Sequence, residues 1–175
     1  MRRLMLLRHA KSDWSAPGRP DRERTLSPRG DRAAALMGRY LAEHGLVPQH
    51  AIVSIATRTR QTWQLLGKAV TEGPSIAFDD RIYEAAPADI LSAIADAPAA
   101  AKSLLVVGHN PGLQSLALTL AGSGGSKARR ALAEKFPTAA LAVLDFDLPD
   151  WKSLTPGSGR LERFITPRAI GGDED

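Results

Sequence analysis

Two short apolar runs constrain this chain more than any other feature. Leu4-Met5-Leu6-Leu7 runs without interruption into Arg8-His9, and Leu104-Leu105-Val106-Val107, after Ser103, runs into Gly108-His109. A short apolar run without alternation reads as a strand buried on both faces, as in a parallel sheet. The polar residues that follow then lie at the carboxyl end of the strand, the edge at which open α/β sheets bind ligands. Taken alone, Arg8 and His9 serve equally well as ordinary strand-end polar residues or as an anion-binding arginine beside a nucleophile or base.

The rest of the chain alternates around these runs. A polar loop from Ser12 to Thr25 holds Pro17, Gly18 and Pro20, and loops this long in compact domains are often functional. Ser27-Pro28 reads as an N-cap followed by proline at the first helical position. The helix carries Ala33, Leu36, Met37, Tyr40 and Leu41 and stops at Gly45. Ala51-Ile52-Val53 is a second strand. Thr57 is the expected cap of a second helix with Thr62, Leu65, Leu66, Ala69 and Val70 on its apolar stripe. Ser75 to Phe78 reads as a strand and Ala88 to Ala97 as a short helix. After the 103–107 strand, Asn110 caps and Pro111 opens a helix bearing Leu113, Leu116, Ala117 and Leu120. Gly122 to Gly125 is expected to be a flexible loop, Lys127 to Lys135 a basic helical piece, and Ala139 to Phe146 a strand. Arg160 to Ile165 is expected at a sheet edge because its polar residues are frequent. Strands alternating with helices predict an α/β fold: one domain, residues 1–167, with a mostly parallel sheet and helices on both faces. Residues 168–175 form an acidic tail expected to lack order.

Composition narrows the chemistry. At 175 residues the chain is long enough for one real core. The formal charge of +4, from 23 Lys+Arg against 19 Asp+Glu, suits an anionic substrate. The basic residues form no dense run with interleaved aromatics, so nucleic acid is not an expected partner. With no cysteine, disulfides, thiolate catalysis and cysteine-ligated zinc are excluded. The N-terminal apolar run is too short for a signal-peptide core, and none approaches membrane-spanning length. A cytoplasmic location away from membranes is the default expectation.

A third strand end carries Ser54-Ile55-Ala56-Thr57-Arg58. If the three strands are central and parallel, Arg8, His9, Arg58 and His109 converge on one edge. Two guanidiniums and two imidazoles suit a dianionic phosphoryl group, since arginine meets phosphate oxygens through a planar fork. Helix N-termini after Thr57 and Asn110 would add partial positive charge. Arg60 competes with Arg58 for the inward position. His44, at a helix end, and His50, in a loop, read as structural or solvated. Such a cationic cluster disfavours a metal, and no cofactor is expected.

These residues carry a resemblance. Leu7-Arg8-His9-Ala10-Lys11-Ser12 is similar to the Arg-His-Gly/Ala signature of the histidine phosphatase superfamily, whose fold is phosphoglycerate mutase-like. Ser54 to Thr62 resembles that family's Ser-x-Ala-x-Arg-x-x-Gln-Thr segment, with Ile55 where proline is usual. Gly108-His109-Asn110-Pro111-Gly112 resembles its second-histidine motif. Phe136-Pro137-Thr138, Lys11-Ser12-Asp13-Trp14 and the short chain resemble the phosphohistidine phosphatase SixA group.

The resemblance implies that His9 is the nucleophile and that Arg8, Arg58 and His109 hold the phosphoryl oxygens, with Asn110 in the substrate-binding set. It also selects Arg58 over Arg60. The general acid has two candidates, Glu84 and Asp21, each of which also reads as a solvated loop carboxylate. The implied reaction is metal-independent hydrolysis through phospho-His9. Its implied substrate is phosphohistidine on a protein such as a histidine-containing phosphotransfer protein. The alternatives are a small-molecule phosphomonoesterase and a non-catalytic phosphate- or phosphoprotein-binding module. A mutase is disfavoured because the connection 71–102 and the segment after Gly122 are small for a lid.

Overall fold

The computed structural model describes residues 1–70 and 73–173. Its strands are β1 (Arg2–Arg8), β2 (His50–Ser54), β3 (Ser75–Asp79), β4 (Ser103–Gly108), β5 (Ala121–Gly124), β6 (Leu141–Phe146) and β7 (Gly159–Ile165). The helices are α1 (Pro28–Glu43), α2 (Thr57–Gly67), α3 (Pro87–Ala95), α4 (Gly112–Leu120) and α5 (Ser126–Glu134). Among the described residues the strands form one sheet in the order β3-β2-β4-β1-β6-β7-β5. All pairings are parallel except those of β6, which runs against both β1 and β7. The expected mostly parallel α/β fold is therefore present, and no helix among the described residues is long and apolar enough to cross a membrane.

The register explains why the two apolar runs are unbroken. In β1, Leu4 and Leu6 face one core, with Ile90 and Ile94 of α3 and Leu113, Leu116 and Leu120 of α4. Met5 and Leu7 face the other, with Met37 and Leu41 of α1 and Trp63 and Leu66 of α2. Leu104 and Val106 of β4 join the first core and Leu105 and Val107 the second. Both faces of these strands are covered, so neither tolerates a polar residue. Pairing Leu7 with Val107 and Arg8 with Gly108 brings His9 and His109 to the same edge.

Several local expectations are corrected. Gly122 to Gly125 is not a free loop: β5 covers most of it and pairs with β7, because glycines let the backbone approach closely. A Cβ on Gly122 would lie 2.0 Å from the Gly157 carbonyl oxygen. β7 is consequently interior to the sheet, and its polar positions face out instead of marking an edge. Thr57 does not cap α2. Ala56 is the N-cap, and the Thr59 hydroxyl donates back to the carbonyls of Ser54 and Ala56. Ser27 does cap α1, accepting from the Gly30 N–H at 3.1 Å. In the terminal segment Arg168–Ile170 form a 3₁₀ turn and Asp173 lies 3.7 Å from Arg32. Residues 174–175 of that tail, and residues 71–72 of the 71–102 connection, lie outside the described residues.

Candidate active site

The loop after β1 leaves the sheet edge and is tied at every step. The His9 N–H donates to Gly108 O at 3.0 Å, extending the β1–β4 ladder by one residue. The Ala10 N–H donates to the Thr62 hydroxyl, which donates in turn to the Arg58 carbonyl. Gln61 accepts from the Leu26 N–H at 2.8 Å. The Ala139 N–H, before β6, donates to the carbonyls of Arg8 and His9. Gly30 of α1 abuts the Lys11 backbone so closely that a Cβ would lie 2.1 Å from the Lys11 oxygen. The loop 12–25 returns through a Ser12–Leu26 bridge and an Asp13 to Thr25 backbone hydrogen bond. His9 is thus fixed by its parallel neighbour β4, by the α1 and α2 side of the sheet and by the turn that leads into β6.

The edge opens into a cavity of about 500 Å³ lined by Arg8, His9, Arg58, His109, Asn110, Asp21 and Glu84, with Lys11, Ser12, Trp14, Arg24 and Thr138 around them. Every site residue expected from the sequence is here. A concavity of about 570 Å³ lies at the amino ends of the strands, but among the described residues its wall (Val47 to Gln49, Gly73 to Ser75, Pro98, Ala100 and Ala101) holds no charged side chain.

His9 and His109 are both buried, with ring centroids 5.3 Å apart. The His9 Nδ1 lies 2.7 Å from the Ala10 carbonyl oxygen. A carbonyl only accepts, so Nδ1 carries the proton and Nε2 the lone pair. Burial pushes the His9 pKa down to about 3, and Arg58, Arg8 and Arg24 add to that push against an opposing pull from the Ala10 carbonyl. Burial, His9, Arg58 and Arg8 lower His109 likewise to about 3, with Asp21 opposing. Both rings are therefore neutral at pH 7. The His109 Nδ1 accepts from an Arg58 N–H at 3.4 Å, which leaves Nε2–H to donate to the Ser54 hydroxyl at 2.7 Å. Ser54, seen in the sequence only as part of a motif, is what sets that ring.

Arg58 is 3% exposed. Its Nη1 donates to the Asp21 carbonyl at 2.8 Å and its Nη2 to the Asp21 carboxylate at 3.0 Å, while the buried Nε has no hydrogen-bond partner among the described residues. An orphaned N–H of this kind, on an arginine beside two histidines, fits an anion. Arg60 points away, its Nε on the Ile55 carbonyl and its guanidinium over Phe78. Arg8 donates to the Phe136 carbonyl at 3.0 Å, which also accepts from Asn110 Nδ2 at 3.1 Å. Asn110 Oδ1 accepts from the Gln114 N–H, so this side chain ties α4 to the 136–138 turn as well as lining the cavity.

The two carboxylates differ. Asp21 accepts from the Tyr83 hydroxyl, from Arg24 at 2.8 Å and from Arg58. Burial alone would raise its pKa, but these three donors outweigh it and hold the carboxyl well below the usual range. Burial and Asp21 push the Tyr83 hydroxyl up to about 12, so it remains a donor. A carboxylate so engaged suits an anchor for Arg58 and not a proton donor. Glu84 stands on the cavity rim, exposed, in a left-handed conformation with φ 47°. A non-glycine residue at such a φ is strained, and strain of this kind gathers at functional sites. Gly112 holds the turn in place, since a Cβ there would lie 2.2 Å from the Ala85 oxygen. Arg24 and Tyr83 were not foreseen. They come from loops far apart in sequence, and no local pattern announces their meeting at Asp21.

Comparison with known proteins places this arrangement among relatives. The sequence model of the histidine phosphatase superfamily (branch 1) matches residues 4–90. The chain is similar to a candidate phosphohistidine phosphatase SixA from Nakamurella multipartitia, with a TM-score of 0.83 and 30% identity over 95% of this chain and 96% of that one. It is similar to another from Agrobacterium tumefaciens, with a TM-score of 0.77 and 34% identity over 95% and 98% of the two chains. An uncharacterized protein of Mycobacterium tuberculosis (strain ATCC 25618 / H37Rv) is 37% identical over 93% of this chain and all of its own length.

Proposed function

The chain belongs to branch 1 of the histidine phosphatase superfamily, and from that membership we propose that it is a metal-independent phosphatase acting through phospho-His9, with phosphohistidine on a protein as substrate. The observation that carries the reading is the state of His9: Nδ1–H committed to the Ala10 carbonyl, Nε2 unprotonated, and Arg8, Arg58 and His109 on the same cavity. In the first step Nε2 attacks phosphorus as the bond to the leaving group breaks. The ring gains positive charge, which the Ala10 oxygen stabilises through Nδ1–H. In the second step water attacks phospho-His9, and the ring leaves as the same neutral tautomer. Phosphoryl transfer asks mainly for positioning and charge stabilisation. Arg8 and Arg58 supply fixed charge for the oxygens. A dianion in the cavity also favours a second proton on His109, whose Nδ1–H then donates to it. The donor set is cationic around the cavity and suits an anion, not a metal ion. Glu84, exposed on the rim, is positioned to protonate a leaving group.

Two features support a protein substrate. Among the described residues, the connection between α2 and β4 contains β3, a 3₁₀ turn and α3, too little to enclose a metabolite as tight small-molecule sites do. The similar chains from Nakamurella multipartitia and Agrobacterium tumefaciens are themselves candidate phosphohistidine phosphatases. The test is incubation with a panel of phosphorylated histidine-containing phosphotransfer proteins, with kcat/KM compared against sugar phosphates and phosphoglycerates. We expect the phosphohistidine proteins to be the better substrates. A sugar phosphate or phosphoglycerate turned over more efficiently than all of them would overturn the reading.

A further inference from the structure

Trp14 stands on the wall of the same cavity, with 75% of its surface open to solvent. Aromatic rings usually bury a large apolar area in the core or an interface, and this indole instead stands in water at a cavity mouth. The ring is held in place. The Arg24 guanidinium lies 3.6 Å from its centroid, a close cation–π stack on one face. Arg24 is itself fixed, because its Nη1 donates to the Ser12 hydroxyl and its Nη2 to the Asp21 carboxylate at 2.8 Å. Asp21 in turn holds Arg58. The indole is therefore oriented by the network that orients the phosphoryl-binding arginine, and the ring surface that Arg24 does not cover is open to solvent beside the cavity.

The geometry of transfer says what arrives at that face. In phosphoryl transfer the attacking and leaving atoms lie roughly in line through phosphorus. With His9 at the cavity floor as attacker, the leaving group points to the mouth. We propose that Trp14 is a stacking platform for a planar leaving group, and so a specificity-determining residue that favours phosphoryl groups carried on a flat ring. This rests on the phosphohistidine reading, in which the ring is the substrate's imidazole. As the His9 Nε2–P bond forms, the P–N bond to that imidazole breaks, and the departing nitrogen takes a proton from Glu84 or water. The ring leaves neutral against the indole. Offset stacking of two such rings contributes about two- to tenfold.

The experiment compares the full chain with Trp14→Ala and Trp14→Phe on two substrates with the same P–N bond: phosphoimidazole, which has a ring, and phosphoramidate, which has none. The expected result is that the ratio of their kcat/KM values falls about two- to tenfold in Trp14→Ala and is largely restored in Trp14→Phe. An unchanged ratio overturns the proposal. So does a defect seen only with intact phosphohistidine proteins, which would make Trp14 a contact for the carrier's surface. As a second measurement independent of turnover, the dissociation constants of benzylphosphonate and methylphosphonate are compared in the same variants, with the same shift in ratio expected. If wild type hydrolyses neither P–N substrate, the phosphohistidine reading is decided on the phosphotransfer proteins. The phosphonate ratio then decides the platform by itself.

Discussion

The two buried histidines tie stability to pH in a way that can be worked out in advance. His9 and His109 each have a pKa of about 3 in the folded chain against an ordinary 6.5. The folded value is depressed, so below pH 6.5 the unfolded chain binds protons that the folded chain refuses. The stabilisation is complete above pH 6.5 and is lost as pH falls toward 3. Each group contributes up to 1.36 kcal/mol per pH unit, and the unfolded imidazole is only half protonated at pH 6.5, so between pH 6.5 and 5 each histidine removes about 1.6 kcal/mol and the pair about 3. For a chain of 175 residues that is a fall in Tm of about 6–12 °C. His50 is lowered by burial in the same sense, so the measurement must be differential. Urea unfolding is followed at pH 6.5 and 5 for wild type and for the double variant His9→Asn/His109→Asn. Wild type should lose about 3 kcal/mol more than the variant over this interval. Asp21, held low, does not titrate in it. Inorganic phosphate should flatten the wild-type slope, because a dianion between the rings favours their protonation. Parallel pH dependences for the two proteins would refute the reading of both rings as neutral and desolvated.

Other outcomes follow from the same geometry. His9→Ala should abolish turnover and any acid-labile phosphoenzyme. His109→Ala should slow turnover by about 10²–10³-fold yet still form some phosphoenzyme, and normal labelling in the His9 variant would refute the assignment of the nucleophile. Asp21→Ala should lower kcat/KM even on p-nitrophenyl phosphate, whose leaving group needs no acid, and Asp21→Asn, which keeps a carbonyl acceptor for Arg58, should lose less. If Asp21 were the proton donor, the deficit would vanish on that substrate. Activity should survive exhaustive chelation, and loss with EDTA restored by one divalent cation would contradict the proposed chemistry.

The sequence exposes the centre of this molecule better than its margins. β1 and β4 are legible because both faces of each are buried, which forbids polar interruption, and so Arg8, His9, Gly108 and His109 fall at recognisable strand ends. Arg58 is found through the motif that also supplies Gln61 and Thr62, whose hydrogen bonds to the 10 and 26 backbones explain their place in it. β5 is hidden because Gly122 and Gly124 read as freedom when their lack of a side chain in fact permits close pairing. The reversed direction of β6 leaves no periodic trace. Asp21 is visible as a carboxylate in a long loop, but its role depends on Tyr83, 62 positions away, and on Arg58, 37 positions away.

The reversal of β6 gives the cavity one wall of a different kind. β1, β2 and β4 deliver their residues as each strand ends, so those residues are bound to the crossover helices that follow. The 136–138 turn reaches the same edge just before a strand begins, with α5 ahead of it. It is a removable panel: α5 and the turn can be exchanged as a cassette between the end of β5 and Ala139, without re-routing any parallel crossover. The Phe136 carbonyl, which steadies both Arg8 and Asn110, has to return to its position, and Leu132 and Phe136 have to refill the core. Because the contact to Arg8 and Asn110 comes from the backbone, the cassette can change its exposed side chains freely. Lineages or designs built on this scaffold can therefore vary what docks on that side while leaving the phosphoryl chemistry undisturbed.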